Sequence, residues 1–211
     1  MPDQSLILSY MDLRRAVGLI GISLPVVLAL GNYLLVESGI EPTMSAYYYT
    51  AMGDVFVGAL FAVAVFLMSY RGWDKLDELV GDLAGAGAIG VALFPVMPET
   101  NAPSLTDKVC DFLHAGFAAL FFLSLAYFCL VLFRKSEPGS TPTANKLKRN
   151  KVYLACGCII VACVALIGIQ HFLLHSETAA SYKLIFWLES IAIIAFGVSW
   201  FVKGEGMLKD D

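Results

Sequence analysis

The chain alternates between long apolar runs and short segments that hold most of its charged residues. An α-helix rises about 1.5 Å per residue, so about 20 apolar residues cross about 30 Å of hydrocarbon. Six nearly uncharged runs approach or reach this length, at residues 17–36, 55–70, 83–97, 109–133, 152–174 and 184–202. The runs are continuously apolar and do not alternate with a period of two, so they predict helices rather than barrel strands. We therefore predict an all-α protein in which residues 1–211 form one domain, a bundle of six transmembrane helices.

Composition supports this class. Of the 211 residues, 58% are hydrophobic and 15% are charged, whereas soluble domains average about 45–50% apolar and about 25% charged residues. The lipid bilayer is therefore the expected main partner of the chain. Its net charge of −4 gives no reason to expect a nucleic-acid partner.

The positions of lysine and arginine predict the orientation of the bundle. If the six runs all cross the membrane, only Lys108 and Lys183 of the 14 cations lie on one side, which leaves 12 on the other. Cytoplasmic loops carry the excess of lysine and arginine, so both termini should be cytoplasmic. Residues 134–151, "RKSEPGSTPTANKLKRNK", are then a basic cytoplasmic linker whose cations contact anionic lipid.

Ionisable residues inside the runs concentrate near their outer ends. His171 and Glu189 flank one short loop, so their two helices should be antiparallel neighbours and the two side chains should share a layer. Asp111 and His114 are three residues apart and share a helix face. An ionised side chain that faces lipid costs about 2.5 kcal/mol or more at the bilayer centre, so such residues turn inward and pair.

These residues predict an outward-facing polar pocket between helices. Asp54 directly precedes the second run, and the aromatic segment "SAYYYT" before it supplies a rim at the same level. The predicted ligand-binding residues are Glu189, His171, His114, Asp54 and Asp111, with Tyr48 and Tyr49 at the rim.

Three functions agree with such a pocket. The favoured one is binding of a small amphiphile or lipid head group, which includes transport, because carboxylates and imidazoles titrate and pair with polar ligands. The second is zinc-dependent hydrolysis of a lipid, since His171 and His175 lie one helical turn apart and His114 could complete a three-histidine zinc site. The third is a structural or accessory subunit in which the polar layer only specifies packing. Whether the protein is an enzyme, and its oligomeric state, stay open at this stage.

Two resemblances add expectations. The stretches "SAYYYT", "DVFVGAL", "AIGVALFP" and "FWLE…AFGVSW" resemble a bacterial inner-membrane family described as a domain of unknown function, which implies six spans and a location in a bacterial inner membrane. The order of Ser45, an acid and His171-x-x-x-His175 resembles the alkaline ceramidase and adiponectin-receptor superfamily of membrane zinc hydrolases. That superfamily has S-x-x-x-H where this chain has Ser45-x-x-x-Tyr49, and its H-x-x-x-H lies on the last of seven spans rather than on the fifth of six.

Overall fold

The computed structural model describes residues 4–36, 39–72, 74–98, 102–136, 139, 141–170 and 183–208. Within them lie six α-helices and no strand, which confirms the all-α prediction. The helices are α1 (Gln4–Val36), α2 (Gly53–Met68), α3 (Lys75–Leu93), α4 (Leu105–Leu130), α5 (Ala144–Ile169) and α6 (Leu184–Lys203). Two short 3₁₀ helices, Ser45–Tyr49 and Leu132–Arg134, precede α2 and follow α4.

Four of these helices are long and apolar enough to cross a membrane: Tyr10–Val36 of α1, α4 with its 3₁₀ extension, α5 and α6. Helix α2 is apolar but has 16 residues, which at 1.5 Å per residue reach about 24 Å. Helix α3 has 19 residues and carries three acids in its first half, Asp77, Glu78 and Asp82. The chain thus has the helices of a membrane protein, and the count of six spans stays a prediction.

Local signals explain where the helices begin and end. Asp74 caps α3 by accepting hydrogen bonds from the backbone N–H groups of Leu76 and Asp77, as short polar residues do at helix N-termini. Helix α3 ends at Leu93 rather than at the predicted residue 97, because Pro95 disfavours the helical conformation at Phe94, whose backbone is extended.

Helix α5 begins inside the predicted linker 134–151. Thr143 accepts a hydrogen bond from the backbone N–H of Lys146 at 3.0 Å and caps the helix, so residues 144–151 are helical. The proline, glycine and serine residues that predicted a linker all precede Thr143. The basic residues after it therefore belong to the first turns of α5.

Consecutive helices run in opposite directions and form a ring. Each helix packs against the next along the chain from α1 to α5, α6 packs against α5, and α6 also packs against α1 to close the ring. We call the end where α1, α3 and α5 begin the basic end, and the opposite end the loop end. At the basic end, Tyr10 donates a hydrogen bond to the carbonyl of Arg71 at 3.0 Å, and Arg15 donates to the carbonyl of Gly204 at 2.8 Å.

Glycines bring α1 and α6 into backbone contact. A Cβ atom at Gly197 would lie 2.6 Å from the carbonyl oxygen of Gly18, and one at Gly18 would lie 2.6 Å from the backbone nitrogen of Phe201. Such small residues allow close helix approach in membranes. Between this contact and the loop end, a groove separates the outer faces of the same two helices.

Candidate functional site: the loop end and the α1–α6 groove

Residues 39–52 connect α1 to α2 at the loop end, and α6 holds this segment from one side. The carboxylate Oε2 of Glu189 accepts a hydrogen bond from the backbone N–H of Met44 at 2.6 Å. One turn earlier in α6, the backbone N–H of Phe186 donates to the carbonyl of Pro42 at 3.1 Å. This N–H lies in the first turn of a helix, where it has no intrahelical partner. The carboxylate of Glu189 therefore anchors a loop backbone.

Helix α4 holds the same segment through His114, which is buried with 7% of its surface exposed. Its Nδ1 lies 2.7 Å from the carbonyl oxygen of Phe94, and its Nε2 lies 2.9 Å from Oγ of Ser45. A carbonyl oxygen only accepts, so Nδ1 carries the proton, and Nε2 of the neutral ring accepts from the Ser45 hydroxyl. His114 thus joins the segment before α2 to the segment after α3.

Helix α1 contributes Asn32, which is fully buried. Its side-chain N–H donates to Oε1 of Glu41 at 3.2 Å. The hydroxyl of Tyr47, also fully buried, accepts from the backbone N–H of Glu41 at 3.4 Å. Burial raises the pKa of Tyr47, so its hydroxyl stays neutral near pH 7. Three helices therefore fix residues 39–52 over the loop end.

The segment after α3 is held in the same manner. Asp111 accepts from the backbone N–H of Met97 at 2.9 Å, and the hydroxyl of Tyr49 donates to the carbonyl of Val96 at 2.8 Å. The ring of Tyr48 packs edge-on against Tyr49 at 5.1 Å between centroids. Asp54 is exposed. Hydrogen bonds to backbone groups thus dominate this layer.

The predicted site residues are therefore only partly brought together. Glu189 and His114 reach adjacent residues of one segment, Met44 and Ser45, while Asp111 and Tyr49 hold a second segment. Asp54 forms no hydrogen bond or ion pair with any part of the chain that the structure describes. His171 and His175 lie outside the described residues, so their place in a ligand site stays a prediction.

A zinc site would need His114 as its third histidine. The lone pair of its Nε2 accepts a hydrogen bond from the Ser45 hydroxyl, so a metal ion bound through Nε2 would have to displace that hydroxyl. Within the described ranges, no three His, Cys, Asp or Glu side chains come close enough to hold a metal ion.

The cavity beside this layer is an apolar groove of about 550 Å³ between α1 and α6. Its volume falls within the range of about 300–1,000 Å³ that is usual for small-molecule sites. None of the predicted site residues that the structure describes lines it. Its walls are Pro25, Val26, Ala29, Leu30, Tyr33, Gly39, Ile40, Phe186, Trp187, Ser190, Ile191 and Ile194.

Ser190 gives the groove one polar group. It is 3% exposed, and its hydroxyl has no hydrogen-bond partner among the described residues. It lies six residues into α6, about 9 Å from the helix start. The sequence feature that could have identified Ser190 as a site residue is its position beside Glu189 inside an apolar run. Glu41 gave no such signal, because it lies outside the runs and has no periodic neighbour.

Together, these features define an all-α membrane protein whose loop end is closed by hydrogen bonds and whose flank carries an apolar groove. Comparisons with protein-family models, curated proteins and solved structures found no match to the chain. The two resemblances stated from the sequence therefore stay predictions.

Proposed function

We propose that the protein binds a lipid-like amphiphile in the groove between α1 and α6. The alkyl chain lies along the groove, and the polar head lies at the loop end, near residues 39 and 40. The observation that carries the proposal is the buried, unpartnered hydroxyl of Ser190 in a largely apolar wall. A buried hydroxyl without a partner costs about 1–3 kcal/mol, and a ligand carbonyl would remove that cost.

The surroundings of the groove favour a lipid as the occupant. Both walls belong to helices long and apolar enough to lie in the bilayer, so the groove opens toward hydrocarbon. Leu30 and Ile191 in its walls are 53% and 46% exposed, as expected for side chains that meet alkyl chains. The depth of Ser190 matches the carbonyl that follows a head group rather than the chain end.

We also propose that all six helices cross a bacterial inner membrane, with the basic end in the cytoplasm. The uneven division of lysine and arginine supports this orientation. A fluorescent protein fused after Asp211 should then fluoresce, while alkaline phosphatase fused at the same place should be inactive. An active phosphatase fusion would reverse the orientation.

Photocrosslinking tests the groove. A lysophospholipid with a diazirine close to the carbonyl of its chain is added to the protein in nanodiscs, and crosslinked residues are mapped by mass spectrometry. Leu30 in the groove and Val109 on α4 are 53% and 49% exposed and lie about 9 Å and about 6 Å from the loop-end termini of their helices, so simple contact with bulk lipid predicts similar labelling. Binding in the groove predicts preferred labelling of Leu30. Equal labelling would refute the proposal.

Two variants sharpen the test. Ala29→Phe places a ring in the groove and should reduce the labelling of Leu30, whereas Ala119→Phe at an exposed position of α4 should not. Ser190→Ala removes one hydrogen bond, worth about 1 kcal/mol, and should weaken lysophospholipid binding about fivefold. Affinity unchanged by Ser190→Ala would exclude the hydroxyl from the site.

A structural role for the polar layer is the second candidate. It is favoured by the hydrogen bonds of Glu189 and His114 to backbone and loop atoms of the chain itself. Glu189→Gln keeps an oxygen that can accept from Met44, so a purely structural Glu189 predicts unchanged stabilisation by lysophospholipid. Loss of that stabilisation in a folded Glu189→Gln protein would place Glu189 in the ligand site instead.

A further inference from the structure

Four cations from three helices meet at the basic end. Arg14 comes from α1, Lys146 and Arg149 from α5, and Lys203 from the last turn of α6. Lys203 interacts electrostatically with each of the other three. We call these four residues the cationic cluster. Like charges that are close together and partly withdrawn from water repel one another strongly.

Aromatic rings form the floor beneath this cluster. The guanidinium carbon of Arg14 lies 4.3 Å from the ring centroid of Tyr10 and 5.6 Å from that of Tyr70. Nζ of Lys203 lies 5.4 Å from the ring of Phe133. Ring faces attract cations, but they carry no net charge. The rings therefore position the cluster without neutralising it.

Lys146 and Arg149 are positioned by carbonyl groups. Nζ of Lys146 donates to the carbonyl of Phe133 at 2.8 Å, and Arg149, 8% exposed, donates to the carbonyl of Leu208 at 2.6 Å. These two contacts hold Lys146 and Arg149 at the end of the bundle where Arg14 and Lys203 lie.

The ion pairs at this end involve other cations. Within the described ranges, Arg15 pairs with Asp12, Arg71 with Glu78, and Lys135 with both Asp74 and Asp77. Asp77 interacts electrostatically with Lys203. However, its Oδ1 already forms an ion pair with Nζ of Lys135 at 3.2 Å. Arg14 and Lys203 form no ion pair with described residues.

Two buried N–H groups point to a missing partner. Nε of Arg14 and Nε1 of Trp200 are inaccessible to solvent and have no hydrogen-bond partner among the described residues. Trp200 packs edge-on against Phe133 at 5.2 Å and Tyr70 at 5.3 Å, the rings beneath Lys203 and Arg14. Unsatisfied buried donors are rare in folded proteins and indicate an unoccupied partner position.

We propose that the cationic cluster binds a phosphate-bearing anion at the basic end of the bundle. Arginine presents a planar fork that suits phosphate oxygens, and lysine adds a point charge. The phosphate can come from a phospholipid head group at the membrane surface or from a free phosphate in solution. This site is separate from the groove and does not depend on the function proposed for it.

The experiment measures thermal unfolding of the full chain in nanodiscs of neutral phosphatidylcholine. One arm adds inorganic phosphate, and the other replaces part of the lipid with phosphatidic acid. Stabilisation in the first arm indicates a free phosphate, and stabilisation in the second alone indicates a lipid head group. A wild-type protein stabilised in neither arm overturns the proposal whatever the variants do.

Charge-matched variants test the residues. Arg14→Gln and Lys203→Gln should each weaken binding about tenfold or more, as loss of a charge-assisted hydrogen bond does. Arg71→Gln removes the same charge from an exposed residue at the same end and should leave binding within about twofold of wild type. Equal losses in all three variants would indicate attraction to the surface in general and would refute a specific site.

Residues 209–211, which lie outside the described residues, include two acids, Asp210 and Asp211. If these acids neutralise the cluster, Asp210→Asn/Asp211→Asn should lower the melting temperature and create phosphate binding that the wild type lacks. That result would overturn the proposal. Wild-type stabilisation by phosphate or phosphatidic acid that persists in the double variant supports it.

Discussion

At the loop end, the side chains of His114 and Glu189 are hydrogen-bonded to segments of the chain itself, whereas Arg14 and Lys203 at the basic end have no acidic partner among the described residues. Both ends hold polar groups away from water, but they differ in whether the chain itself supplies the partners of those groups. A single acceptor or donor can be satisfied by a nearby backbone group. A group of like charges requires an opposite charge. His114 and Glu189 at the first end are therefore satisfied by the described chain, whereas for Arg14 and Lys203 at the second end we propose an anionic ligand.

The largest effect should come from breaking the loop end at His114. In His114→Ala, the carbonyl of Phe94 and the hydroxyl of Ser45 both lose their partner, and each loss costs about 1–3 kcal/mol when the group stays away from water. We expect the free energy of unfolding to fall by about 3 kcal/mol, measured by denaturation in detergent micelles.

Asp54→Asn is the control for that measurement, because Asp54 is exposed at the same end. Its effect should stay within about 0.5 kcal/mol. A His114→Ala protein as stable as the control would mean that His114 does not hold the loop.

A smaller loss is expected at Glu189. In Glu189→Ala, the backbone N–H of Met44 loses its acceptor, and stability should fall by about 2 kcal/mol. Glu189→Gln keeps an amide oxygen in the same place and should lose less than half of that. If the two variants are equally unstable, the charge of Glu189 matters rather than the hydrogen bond, and the comparison between the two ends would fail.

At the basic end, in contrast, substitution of the cations should not lower the free energy of unfolding. Without phosphate or anionic lipid, Arg14→Gln/Lys203→Gln removes repulsion within the cationic cluster together with three cation–ring contacts, worth about 0.5–1 kcal/mol each at exposed sites. We expect unfolding free energy in neutral detergent to stay the same or to rise by up to about 1 kcal/mol. A clear loss of stability in this medium would show that the cluster is already neutralised within the chain.

The smallest expected effect is a pH dependence of folding stability that comes from Asp74, at the basic end. The hydrogen bond from Lys135 lowers the pKa of Asp74, and the backbone N–H groups of Asp77 and Leu76 act in the same direction. A lowered pKa contributes stability above the ordinary aspartate value of about 3.9, and this stability is lost as the pH falls through the folded-state pKa.

Asp74→Asn tests this, because asparagine still caps α3 but has no titratable group. The melting temperature of the variant should fall less than that of wild type between about pH 5 and pH 3, the range around the ordinary aspartate pKa. The difference should shrink in about 1 M salt, which screens exposed charges. Identical pH profiles would contradict the role given to Lys135.

Much of the loop end could be predicted from the sequence. Depth follows from residue counting, which predicts that Glu189, His114, Asp111 and Tyr49 lie near one end of the bundle. Their partners could not be predicted. Backbone groups such as the N–H of Met44 and the carbonyl of Phe94 are present at every residue and leave no mark in the amino-acid pattern, and only the folded chain determines which of them lie within reach.

Glycines illustrate the same limit. Gly197 and Gly58 both lie in apolar runs and cannot be distinguished by composition. A Cβ at Gly197 would lie 2.6 Å from the carbonyl oxygen of Gly18, whereas one at Gly58 would have no atom within 4 Å. The position of the α1–α6 groove follows from this contact, so the groove also could not be read from the sequence.

The sequence by itself determined the class of the protein, the approximate positions of its helices and the concentration of its cations at one end. These properties depend on the apolarity of consecutive residues, on caps such as Asp74 and Thr143, and on charge order, all of which act over a few residues. Only the tertiary structure decided that α6 packs against α1, that Ser190 lacks a partner, and that Arg14 meets Lys203. Each of these depends on residues far apart in the chain, whose contacts arise only when the ring of helices closes.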